Sequence, residues 1–63
     1  MNLEEIEQLI RMAQVLKVRA RMLSSELAKA KHGPQSSRAT QVHYLAENAE
    51  QKLASILEDV LGR

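Results

Sequence analysis

The chain has 63 residues, 44% of them hydrophobic, with nine Lys and Arg against eight Asp and Glu and no cysteine. So short a chain buries only about 60% of its unfolded surface on folding, and without cysteine it has neither disulfides nor thiolate zinc to support it. Small folds lacking such staples gain stability by association, so a protein partner is the expected support. No apolar run approaches the ~18 residues that a membrane span needs. The opening MNLEEIE is acidic where a secretory signal is basic. The expected setting is therefore cytoplasmic, with no membrane, cofactor or small-molecule ligand.

From the N-terminus, heptad letters with Ile6 at position a place Ile6, Ala13, Ala20 and Leu27 at a, and Leu9, Leu16, Leu23 and Ala30 at d. This unbroken apolar repeat predicts a helix over about residues 3–31. Glu4, Glu5 and Glu7 near its start and Lys29 and Lys31 near its end complement the helix dipole. Gly33 is expected to end the helix in the left-handed conformation, followed by a turn over about residues 32–36 containing Pro34. Ser36 or Ser37 then serves as N-cap for a second helix over about residues 37–61. In that helix Ala39, Ala46, Leu53 and Val60 fall at a, Val42, Ala49 and Ile56 fall at d, and Gly62 follows the last turn.

So short a connection makes the helices antiparallel. The expected fold is one all-α domain over residues 1–63, an antiparallel hairpin that assembles into a four-helix bundle or docks on a partner. Pairing each a layer with a d layer closes seven layers, from Ala30 with Ala39 through Leu16 with Leu53 to Leu9 with Val60. The e edge is complementary in that register: Ile10 meets Leu57, Lys17 meets Glu50, and Ser24 meets His43. The g edge is not, because it sets Arg19 near Lys52. Leu3, Ile10, Leu57 and Leu61 gather at the open end.

Met12, Val15, Arg19 and Met22 form a stripe up the g and c positions of the first helix, outside the intramolecular seam. Apolar side chains placed there require a second surface, and methionine suits an adaptable contact. The expected partner-binding residues are Met12, Val15, Arg19 and Met22 with Leu45 and Lys52, the partner being a second copy or another helical protein.

No catalytic constellation is present. The serines lack an activating histidine and carboxylate, both glycines lie at helix ends rather than in a phosphate loop, and His43 with Glu47 is one pair where a metal needs three or four ligands. The competing function is nucleic-acid binding by Arg11, Lys17 and Arg21, which would neutralise phosphates. Against it stand the lack of an aromatic platform for single strands and of a third helix for groove reading.

The length, central bend and Ala/Leu layers resemble the small plasmid-encoded RNA-binding hairpins that dimerise into four-helix bundles. The opening LEEIEQLI resembles the first turn of the helical-hairpin co-chaperones of type III secretion needle subunits. The first resemblance implies an RNA-binding regulator, the second a co-chaperone or adaptor. The expected function is non-enzymatic helix-to-helix association, with RNA binding as its alternative.

Overall fold

The computed structural model describes residues 2–62 and contains two helices, α1 (Leu3–Lys29) and α2 (Gly33–Leu61), packed side by side along their lengths. The pair is antiparallel: Lys17 reaches Glu50 and Ser24 reaches Ser36 and Thr40. The result is an all-α hairpin measuring 47 × 14 × 13 Å.

The helix ends differ from expectation in informative ways. Asn2 caps α1, its side-chain oxygen accepting from the Glu4 amide at 3.0 Å, a placement suited to asparagine. At the other end Lys31, not Gly33, takes the left-handed conformation, with φ 63°. The His32 amide donates to Leu27 O at 2.8 Å and the Lys31 amide to Ala28 O at 3.1 Å, the paired bonds that satisfy the last carbonyls of a helix. Gly33 already belongs to α2, which begins four residues before the expected position. Pro34 lies in its first turn, where a missing amide hydrogen costs nothing and a fixed φ suits the helix. The expected serine cap is not formed, because His32 occupies the N-cap position and Ser36 is turned to the other helix. Gly62 closes α2 in the left-handed conformation, φ 76°.

The seam between the helices also differs. The buried side chains are Ile6, Ala13, Ala20, Ala39 and Ala46, all at position a. The half-buried ones include Leu3, Ile10, Lys17 and Ser24 on α1 and Ser36, His43, Glu50 and Leu57 on α2, all at position e. The helices therefore meet on a and e, not on a and d, and the seven expected a-to-d layers do not form. The cause is size and chemistry together. Alanine at a lets two helices approach closely, and the e side chains bond across the join. A single neighbouring helix cannot also wrap leucines 60° farther round the other flank, at 100° per residue.

Candidate interaction surface

Rotation of the seam toward e gives the hairpin two unlike long sides. Where two antiparallel helices share an a/e seam, their b and f positions lie on one side and their d and g positions on the other.

The e edge and the b side hold the polar contacts. Lys17 Nζ donates to Glu50 Oε1 at 2.7 Å, with the two side chains 28% and 19% exposed, as the e edge predicts. The Glu50 carboxylate is held below its ordinary pKa first by the hydrogen bond from Lys17 and then by one from Gln14, and Lys17 is raised above its own by the same bond. Folding therefore gains from this pair across the whole range between the two groups. The gain is lost as pH falls through the lowered Glu50 value, below the ordinary ~4.3, and as pH rises through the raised Lys17 value, above the ordinary ~10.4. Glu50→Gln is expected to reduce the melting temperature slightly at pH 7 and to flatten its acid-side dependence, which thermal melts between about pH 2 and pH 6 measure.

Nearer the turn, Ser24 Oγ lies 2.6 Å from Thr40 Oγ1, and Ser36 Oγ donates to Ser24 O at 2.9 Å. His43 is not bonded to Ser24; its Nδ1 lies 3.0 Å from Lys17 O, although both residues line the same hollow of about 440 Å³ with Arg21 and Tyr44. These bonds lock register, since moving one helix by a residue would break all of them. Of the three residues of the nucleic-acid alternative, Lys17 is engaged with Glu50, Arg11 lies 4.0 Å from Glu7, and Arg21 lines the hollow. They are interleaved with carboxylates rather than gathered on one basic face. Among the described residues no three His, Asp or Glu side chains gather to hold a metal, and no helix is long and apolar enough to cross a membrane.

The opposite side is apolar. Leu9, Leu16 and Leu23 run along α1 at d, and Leu16 and Leu23 are 50% and 53% exposed. Val42 and Ile56 run along α2 at d with the small Ala49 between them, and all three are exposed. The stripe expected to bind a partner borders these rows. Met12, Arg19, Leu45 and Lys52 at g flank them, with Val15 and Met22 at c beyond, and every one is exposed. Arg11, Met12, Val15, Leu16 and Arg19 enclose a shallow groove of about 410 Å³. The large apolar side chains Val18 and Tyr44 are also exposed, but at f on the other side.

The d rows were not among the expected site residues because the heptad assigned them to the hairpin's own seam. The signal that finds them is the size asymmetry between positions: α1 carries alanine at its two central a positions and leucine at three successive d positions. Contiguous apolar surface of this kind marks an interaction site. Comparison with protein-family models, with curated proteins and with solved structures finds no match to this chain.

Proposed function

We propose that this chain is a non-enzymatic helix-association module, a half-bundle in a cytoplasmic setting whose second layer of helices comes from a partner. The observation that carries this is the placement of Leu9, Leu16, Leu23, Val42 and Ile56 in two parallel rows on one open side. In a four-helix bundle the core direction of each helix falls between its a and d positions. Here a faces the other helix and d faces outward, so the chain has the side-chain layout of such a bundle with half of its helices. The biochemical role is docking: the hairpin supplies a preformed two-helix platform, as an adaptor, a co-chaperone or a regulatory subunit does.

Substitution on the flank tests it. Met12→Glu with Met22→Glu is expected to weaken association by at least ~10-fold, each charge lying at the border of a surface that loses water on docking. Val18→Glu, on the opposite side, is expected to leave association unchanged. Sedimentation velocity on the three proteins is the measurement, and equal behaviour of the three would overturn the proposal.

A further inference from the structure

The apolar side has an internal symmetry that bears on what covers it. Along α1 the d row reads Leu9, Leu16, Leu23, which is the same in both directions about Leu16. Along α2 it reads Val42, Ala49, Ile56, which is nearly the same in both directions about Ala49, with a β-branched residue at either end. The two centres also stand side by side. The Lys17–Glu50 and Ser24–Thr40 bonds fix the register, and between them Leu16 and Ala49 lie within about 3 Å of one level, two residue rises along a helix.

Resting on the reading above, we infer that the partner is a second copy of this chain, related by a two-fold axis that lies in the interface and crosses both helices at Leu16 and Ala49. An isologous contact requires a patch that maps onto itself about such an axis, and a surface built for a different protein has no need to. The axis sets each helix antiparallel to its own copy. Leu16 then meets Leu16 and Leu9 meets Leu23, while Ala49 meets Ala49 and Val42 meets Ile56, so each layer holds residues of both copies. One flat side of a 47 × 14 Å hairpin offers on the order of 650 Å² before side-chain relief, close to the ~800 Å² per partner of a stable complex.

The same axis dictates which charges meet at the g edges. Arg38 of one copy falls beside Asp59 of the other, twice per dimer, and Glu5 falls beside Glu26. Within one copy Arg38 and Asp59 are 21 positions apart on α2, or ~31 Å along it, so they cannot touch.

A charge swap therefore tests the arrangement. In sedimentation equilibrium at low salt, where surface charge is least screened, Arg38→Asp and Asp59→Arg are each expected to weaken the dimer by about 10-fold. The double variant is expected to return to within about twofold of the unsubstituted chain. Glu26→Lys is expected to tighten the dimer, because it meets Glu5 of the other copy. Misfolding is not an alternative explanation: an acid near the start of α2 and a base near its end both favour the helix dipole, so helix content is expected to hold or rise while the dimer weakens. Losses that add in the double variant, with no rescue, would overturn the two-fold arrangement. A chain that stays monomeric at all concentrations, yet binds another helical protein in a way that Met12→Glu with Met22→Glu abolishes, would overturn the second copy and leave the docking surface standing.

Discussion

Leu16→Glu is expected to raise the dissociation constant of the assembly by at least ~100-fold, the largest effect of any single change on the open side. Leu16 is 50% exposed in the hairpin, and full burial of a leucine contributes about 1.5–3 kcal/mol. Covering the remaining half therefore contributes about 1 kcal/mol in each copy, or about 2 kcal/mol for the two-fold pair, before any penalty for the substitute. A glutamate in that layer would also have to be stripped of water beside its own copy, a further cost of several kcal/mol unless it takes up a proton. At 1.4 kcal/mol per decade these terms exceed two decades together. Leu16→Ala, which removes apolar area without adding charge, is expected to fall between the two. Dissociation curves from sedimentation equilibrium measure all three proteins, and an unchanged constant for Leu16→Glu would mean that the leucine row is not covered.

Ala46→Leu is expected to act on the other interface, the seam within one chain, and to destabilise the hairpin by about 1–3 kcal/mol. Ala46 is 3% exposed and Ala20 is 5% exposed. The cross-helix bonds at Lys17–Glu50 on one side and Ser24–Thr40 on the other bracket both residues. Three added carbons at Ala46 would push the helices apart and break those bonds together, because bonds that share one register fail as a unit. For a domain of this size such a cost is a large share of the total stability, commonly ~5 kcal/mol or less. Ala54→Leu, at an exposed position of the same helix, is the control and is expected to be neutral within about 0.5 kcal/mol. Urea melts followed by circular dichroism give both values.

Much of the architecture is legible in the residues alone. The heptads, the short connection and the charges at the first helix's ends specify two antiparallel helices, and the Lys17–Glu50 pair follows from their register. The connection was harder, because Pro34 reads equally as a residue that stops one helix and as one that starts the next. Its place in the first turn of α2 depends on Lys31 adopting a left-handed backbone, a strain for a residue with a Cβ that local sequence does not announce. The interaction side was legible in part. Met12, Val15 and Met22 fall outside any two-helix seam and so identify themselves, whereas Leu9, Leu16 and Leu23 fit an a/d repeat that is the same for two helices as for four. Periodicity reports which residues want burial, and the number of neighbours needed to bury them depends on packing. Here the alanines at a and the bonded polar residues at e decide it, by drawing the two helices together on a face that leaves d uncovered.

Because the open side is the central claim, the most direct test uses the unsubstituted chain. Sedimentation equilibrium, with circular dichroism on the same samples, should be followed from about micromolar to about millimolar protein, since a fold completed by association gains stability by mass action. The expected result is a monomer–dimer equilibrium in which dimer and thermal stability rise together with concentration. A monomer throughout that range, with a melting temperature independent of concentration and equal to that of Leu16→Glu, would contradict it.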